Sequence, residues 1–368
     1  MNLNAFMEDG ARDIIQTATR YYTKSLRGAR YLAHAALALG RAEKKRKRYE
    51  DEGIHVPPFL IASIASECNL ACEGCYAHAF GSIGSDAVDA ELTDGQWRDI
   101  FKEASNLGVS FILLAGGEPT LRRGVIEDAA TFKDIMFAIF TNGTTIDDSF
   151  LAFLDENRNL VPVFSVEGTD EKTDARRGVG VADCVRRAQD HCTERGILWG
   201  VSVTVTNENL DEVTDPAHVK GLHDRGCGLL ILNEFVPVAK GTGRLALSMD
   251  AHNLLMKRMD KINSDKELDA LSAIAFPGNE ERMGGCLAAG RGFFHISQTG
   301  AAEPCPFSPF SVANVSEVGL LGALKSSFFG RIRAIEEKHA GEHMGGCTLF
   351  LHKKEVEEAV SLEINEKA

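Results

Sequence analysis

Cys68, Cys72 and Cys75 stand in the string Ser66-Glu67-Cys68-Asn69-Leu70-Ala71-Cys72-Glu73-Gly74-Cys75-Tyr76, at C-x3-C-x2-C spacing with an aromatic residue directly after the last. Three thiolates on one short loop can hold three irons of a 4Fe-4S cube and leave the fourth iron open to another ligand. A structural zinc site takes four protein ligands, one more than this loop offers. Further along come Ala115-Gly116-Gly117-Glu118-Pro119, Thr141-Asn142-Gly143, Ser165-Val166-Glu167-Gly168 and Asp174-Ala175-Arg176-Arg177-Gly178. Glycines let backbone approach a ligand closely, Glu118 and Glu167 offer carboxylate acceptors, and Asn142 and Ser165 offer short polar side chains to hydroxyls or a carboxylate. Read singly, each of these strings is an ordinary turn. A second cysteine set follows, Cys286-x13-Gly300-x4-Cys305 and then Cys347 in His343-Met344-Gly345-Gly346-Cys347.

Such groups need a scaffold to gather them. From Pro57 onward, short apolar runs at residues 58–64, 109–114, 135–140, 160–166, 197–206 and 229–236 read as strands. Helical stretches separate them: 92–107 with Thr93 as cap and Gly108 as stop, one from 121, then 147–157, 181–195 and 218–225. Six strands interleaved with five helices predict an α/β domain with a parallel sheet, because parallel neighbours need a crossover and a helix is the usual one. The repeat length fits a partial barrel and an open sheet alike. In either, the groups that do chemistry sit at C-terminal strand ends and on the loops that follow. The cysteine loop follows the first strand, the Gly-Gly-Glu string the second, Thr-Asn-Gly the third and Ser-Val-Glu the fourth. Thr204, Asn207, Asn233, Glu234 and Pro237 take comparable positions after the fifth and sixth, where a substrate can be touched. Beyond Pro237 the alternation stops; a helix over 248–269 leads to Gly284-Gly285-Cys286 and a strand-turn-strand pattern, including Phe293-Phe294-His295-Ile296-Ser297, that ends at Cys305.

Taken in this order, the motifs resemble the radical S-adenosylmethionine (radical SAM) superfamily. The resemblance covers residues from about 57 to 350. It implies a partial (β/α)6 barrel over residues 56–245, preceded by a helical extension (1–55) and followed by a small iron-sulfur domain (246–368) similar to a reduced SPASM or twitch domain. By the same resemblance, Cys68, Cys72 and Cys75 hold a 4Fe-4S cluster whose open iron binds SAM, and Gly116, Gly117 and Glu118 meet the SAM ammonium. Ser165 and Glu167 fall at its ribose and methionine portion, Asn142 beside them, Arg177 or its neighbour Arg176 near its carboxylate, and Tyr76 near its adenine. Cys286, Cys305 and Cys347 are fewer than a full SPASM domain carries. They suit one auxiliary 4Fe-4S cluster whose fourth iron is free or is held by His343, His352 or the substrate; buried thiols or a zinc site are the alternatives. Cys184, Cys192 and Cys227 are read as core.

What the resemblance implies is an oxidoreductase that reductively cleaves SAM to a 5'-deoxyadenosyl radical and abstracts a substrate hydrogen. The outcome would be dehydrogenation or cross-linking of a peptide or protein. Modification of a small molecule, lipid or cofactor precursor is the alternative, and a non-catalytic electron carrier a third class, which has no need of the SAM-binding strings. A flavodoxin or ferredoxin would supply the electron.

Composition agrees with such a protein. The chain has 368 residues, 44% hydrophobic and 25% charged, with a net charge of -13, so it can bury a large core and gives no general reason to expect nucleic acid. It has no apolar stretch of membrane-spanning length and no signal pattern, which with the odd count of nine cysteines points to the reducing cytoplasm and to metal-ligating or inert thiols. Residues 1–55 differ, with eleven Lys and Arg against seven Asp and Glu. Their apolar residues Ile14, Ile15, Ala18, Tyr22, Leu26, Ala29, Leu32, Ala36 and Leu39 recur at helical period before the run Lys44-Lys45-Arg46-Lys47-Arg48. We read an amphipathic helix or helical pair packed on the main domain with its basic run solvated. The competing reading is peripheral contact with an anionic membrane surface or an acidic peptide.

Overall fold

The computed structural model of the protein describes residues 3–83, 91–276, 285–339 and 347–367. Two helices come first, α1 (Leu3–Tyr22) and α2 (Leu26–Asp51), broken by a turn in which the Ser25 hydroxyl accepts from the Gly28 N–H and caps α2. Alternation then begins with β1 (Phe59–Ala65), the short α3 (Tyr76–Ala79) and α4 (Asp94–Leu107). Next come β2 (Phe111–Gly116), α5 (Arg123–Thr131), β3 (Met136–Thr141) and α6 (Asp148–Glu156). They are followed by β4 (Leu160–Val166), α7 (Asp170–Arg177), α8 (Val181–Glu194) and β5 (Gly200–Val205). The series continues through α9 (Leu210–Val213), α10 (Pro216–Asp224), β6 (Leu229–Glu234), α11 (Met249–Ser264) and β7 (Ser272–Phe276). The last part holds β8 (His295–Ile296), β9 (Ala302–Glu303), α12 (Val315–Leu324), α13 (Ser327–Lys338), α14 (Thr348–Leu351) and α15 (Lys353–Lys367).

Local chemistry explains the boundaries that position the site. At α4, Thr93 and Gln96 form a reciprocal capping box, and Gly108 ends the helix at φ +93°. Asp147 and Asp215 cap α6 and α10, the latter with Pro216 at its first position. The strands are apolar and mostly buried because helices cover them. They form one sheet in the order β7-β6-β5-β4-β3-β2-β1-β8-β9, parallel throughout except for the β8–β9 pair. The sheet and its covering helices give the α/β architecture expected of a partial barrel.

Four readings are corrected. The alternation does not stop at Pro237: α11 and β7 add one more parallel unit, β7 pairing with β6 from Leu229↔Ser272 to Asn233↔Phe276. Its five residues escaped notice because two are Ala and Ile274 faces outward at an edge. The hairpin β8–β9 is a continuation of the sheet, β8 lying parallel to β1. The helical face also shifts in α2, where Gly28, Tyr31, Ala35, Ala38 and Ala42 are buried while Leu26 is 81% exposed. The turn at Ser25 interrupts the period, and Gly28 sits so close to α1 that a Cβ there would lie 2.2 Å from the Tyr22 carbonyl oxygen. Finally, the basic run is not wholly solvated: Arg46 is buried and donates to the Gly108 carbonyl and to Ser110 Oγ, and Lys45 donates to the Ser105 carbonyl.

The helical pair closes the end of the barrel opposite the site. Ala18, Tyr21, Tyr22, Tyr31 and Ala35 form a core with Phe111, Met136, Val161, Leu198 and Leu229, which lie at or next to the starts of their strands. Tyr22 donates to the Arg158 carbonyl at 2.8 Å, with the Arg158 guanidinium over its ring. A larger core fills the space between the strands and the outer helices. Cys192 and Cys227 are fully buried there, as expected, but Cys184 is half-exposed on α8, beside Arg187.

Candidate active site

The cysteine loop leaves the C-terminal end of β1. Gly74 takes φ +70° against the Phe235 ring, a left-handed step that only glycine makes without strain, and it turns the chain so that Cys75 follows at the start of α3. Cys68, Cys72 and Cys75 are all half-exposed free thiols. Burial pushes the thiols of Cys68 and Cys72 up from the ordinary cysteine value; for Cys72 the guanidinium groups of Arg177 and Arg176 pull the other way. Three soft ligands on one loop, beside positive charge, fit an anionic thiolate-bound cluster.

The Gly-Gly-Glu string serves this loop in a way the sequence did not disclose. A Cβ on Gly116 would stand 2.4 Å from the Ala65 carbonyl oxygen, and one on Gly117 would stand 2.0 Å from that of Glu67. Gly117 N–H donates to Ala65 O at 2.7 Å and Glu118 N–H to Glu67 O at 2.8 Å. The two glycines therefore admit the backbone of the cysteine loop. The Glu118 carboxylate is buried and engaged within the protein. Thr120 N–H, Thr120 Oγ1 and Thr141 Oγ1 donate to one oxygen at 3.1, 2.6 and 2.7 Å, and Asn142 N–H donates to the other at 2.8 Å. Asn142 in turn donates through Nδ2 to Asn69 Oδ1 at 2.9 Å, inside the cysteine string.

Glu167 is buried at the end of β4 and gathers both arginines of α7. Arg176 Nη1 lies 2.5 Å, Arg177 Nε 2.9 Å and Arg177 Nη2 2.6 Å from its Oε1. Arg176 also donates from Nε to the Glu73 carbonyl at 3.0 Å, and its own carbonyl accepts from Glu73 N–H, so α7 is laced to the cysteine loop. Both arginines point inward. Ser165 is half-buried on β4, opposite Ser202 of β5, whose hydroxyl accepts from Asn233 Nδ2 at 2.8 Å. Asn207, at the barrel mouth, is used structurally and donates to the Arg244 and Ala246 carbonyls. Sequence reasoning missed Arg122 and Glu91, which pair with each other and hold the exit of β1 through the Ile64 carbonyl and the Ser66 N–H. No spacing rule links residues so far apart.

Flanking the loop is a cavity of about 360 Å³ lined by Tyr76, Gly116, Ser63, His295, Glu303 and neighbouring residues of the last third of the chain. Tyr76 is half-buried and meets Phe307 edge to face at 5.2 Å, so the residue after Cys75 connects the loop to the C-terminal segment. Cys286, Cys305 and Cys347 are buried within one continuous core and form no disulfide. His343 and Gly284 lie outside the described residues. His352 stacks on His339 at 3.4 Å, and both face Glu355, with Lys338 on the second carboxylate oxygen of Glu355.

Residues 63–217 match the family model described as the Radical SAM superfamily. The chain is 27% identical over 272 residues to the mycofactocin maturase MftC of Mycolicibacterium smegmatis, a match covering 70% of this chain and 66% of that protein. It is 27% identical over 215 residues to the Fe-coproporphyrin III synthase of Methanosarcina barkeri, covering 56% of this chain and 52% of that one. The matches thus span between half and two-thirds of these curated relatives. Among solved structures, Streptococcus suis SuiB bound to S-adenosylmethionine superposes with a TM-score of 0.63 at 18% identity over 80% of this chain and 72% of its own. The anSMEcpe enzyme with bound AdoMet and a Cp18Cys peptide gives 0.58 at 17% identity over 83% of this chain and 98% of its own; likeness at this distance establishes the fold. Barrel, cysteine loop and matched segment define a SAM-dependent iron-sulfur enzyme. Residues 63–217 are a radical SAM domain, and the cofactors of that family are a 4Fe-4S cluster and SAM.

Proposed function

We propose that this protein is a cytoplasmic radical SAM oxidoreductase that dehydrogenates or cross-links a peptide or protein. The observation that carries the reading is the cavity set against the cysteine loop through Tyr76. Its volume, about 360 Å³ as bounded by the described residues, admits an amino-acid side chain. The names of MftC, a maturase, and of the SuiB structure with a precursor peptide support a peptide substrate. Those of the porphyrin-pathway relatives keep a small molecule as second reading.

In this reading Cys68, Cys72 and Cys75 hold the cluster that, with SAM, supplies a hydrogen-abstracting 5'-deoxyadenosyl radical. Gly116 and Gly117 face the SAM ammonium with Glu118 bracing the loop behind them, Ser165 faces the ribose, Asn142 and Arg177 the carboxylate, and Tyr76 the adenine. Glu167 acts through the two arginines that it holds in place. Cys286, Cys305 and Cys347 hold one auxiliary 4Fe-4S cluster, and a flavodoxin or ferredoxin supplies the electron. The protein's own contribution is to align one substrate hydrogen and to keep water away from the cavity.

The test uses the reconstituted, reduced full-length protein with SAM. Formation of 5'-deoxyadenosine is expected; its absence with an intact cluster overturns the enzyme reading. Peptides encoded beside the gene are then added. A peptide that loses two hydrogens supports the proposal, and turnover with a tetrapyrrole precursor alone overturns its peptide half.

A further inference from the structure

Three metal-ligating side chains meet where α13, α14 and α15 converge. His339 directly follows the last residue of α13, His352 ends the short α14, and Glu355 lies in the first turn of α15. The two imidazole rings stack at 3.4 Å, 17° from parallel, beside one carboxylate oxygen. His339 Nε2 lies 2.8 Å and His352 Nδ1 lies 3.5 Å from Glu355 Oε1. One ligand atom from each of the three residues lies within 4.8 Å of the other two. Ligands at about 2.0–2.1 Å from a tetrahedral zinc ion stand about 3.4 Å apart, so the set is already close to that spacing. A turn of each ring about its Cβ–Cγ bond points both lone pairs at one ion. A proton joins such groups only pairwise, one nitrogen to one oxygen, whereas a divalent cation is shared by all three.

We propose that His339, His352 and Glu355 bind one zinc ion that fastens the start of α15 to the end of α13. Two imidazole nitrogens with one carboxylate suit zinc, whereas magnesium and calcium take oxygen ligands. The side chains of His339, His352 and Glu355 are 11%, 20% and 30% exposed, which shields the site yet leaves a path for the ion and a fourth position for water. Lys338 Nζ holds the other carboxylate oxygen, Oε2, at 2.9 Å and leaves Oε1 to the rings. Its charge opposes a second cation, but its side chain is 64% exposed and can swing into water. The far end of the same helix pair is already fastened, because Ser327 and Arg331 of α13 both donate to Glu363 of α15. The ion completes the attachment at the near end. It also steadies α14, whose N-terminal cap is Cys347. His352 then serves the zinc and is no ligand of the auxiliary cluster.

The inference does not depend on the proposed reaction, and its test needs neither SAM nor reductant. The reconstituted full-length protein is cleared of loose metal on a chelating resin and titrated with zinc chloride. Free zinc is read with a fluorescent chelator, and bound zinc and iron by elemental analysis. One zinc per chain is expected, held about 100-fold more weakly by Glu355→Gln, whose amide oxygen can still accept from His339. Zinc should also slow amide exchange over residues 353–360 in the wild type and leave it unchanged in the variant. Circular dichroism and iron content establish that the variant is folded; should it fail to fold, His339→Asn is read in the same way. Absence of zinc binding in the wild type, or equal affinity in wild type and variant, overturns the site. Zinc held at Cys286, Cys305 and Cys347 would give that second result. In His352→Asn zinc should be lost with iron unchanged, and a fall in iron would return His352 to the auxiliary cluster and overturn the proposal.

Discussion

At the scale of single residues, the thiols divide by environment. Cys192 and Cys227 are fully buried, and loss of hydration pushes each thiol up to about 12. The thiolate is the reactive form, so both should resist iodoacetamide near pH 8 while Cys68, Cys72 and Cys75 of iron-free protein are alkylated. Peptide mapping after a brief native exposure checks this, and rapid labelling of Cys192 would contradict its burial. The second cysteine set makes a different prediction. Replacing Cys286, Cys305 and Cys347 together with Ala should lower iron to about four per chain, and unchanged iron would refute an auxiliary cluster. Glu118 shows how residue type and residue role can part. Its carboxylate was read as an acceptor for a ligand, yet four protein donors surround it, so what it fixes directly is the junction of β2, β3 and the cysteine loop.

At the scale of elements, the site depends on close approach of backbones. Gly117→Ala would force a Cβ to 2.0 Å from the Glu67 carbonyl oxygen, a backbone clash that no side-chain rotation relieves. A loss of about 1–3 kcal/mol is expected, together with reduced iron retention, measured by urea unfolding and iron analysis. Arg46 makes the same kind of test on the opposite face. Arg46→Ala leaves the Gly108 carbonyl and Ser110 without their partner from α2 and should cost about 2–3 kcal/mol, read from the urea midpoint. The strands from β1 to β6 and the capped α4 were legible because Gly, Asn, Asp and Thr punctuate the chain where it turns. The four loop strings could be placed at strand ends for the same reason. Illegible were the pairing of β8 with a strand more than two hundred positions away and the burial face of α2, whose phase is reset at Ser25. His295 was visible as a residue of an apolar strand, but its partners Ser63 and Glu303 become neighbours only through tertiary register.

At the scale of the whole molecule, the barrel is closed at its base by α1 and α2 and keeps its chemistry at the other end. This gives the amphipathic N-terminus a partner inside the chain. Deleting residues 1–51 would uncover the apolar group around Phe111, Met136, Val161, Leu198 and Leu229. The truncated protein is expected to bind the dye ANS and to aggregate at concentrations where the full chain stays dispersed. A monodisperse, dye-silent truncation would show that the helices do not seal the barrel. No helix among the described residues is long and apolar enough to cross a membrane, and none is needed for this architecture.

The placement of β8 against β1 also sets an order of events during synthesis. Until Ile296 has left the ribosome, β1 has a neighbour on one side only, and its other edge offers unpaired backbone groups to any extended segment nearby. At ordinary elongation rates that interval lasts on the order of tens of seconds, far longer than a hairpin takes to form. The nascent chain therefore carries an unguarded strand edge directly before its cysteine loop until the hairpin arrives.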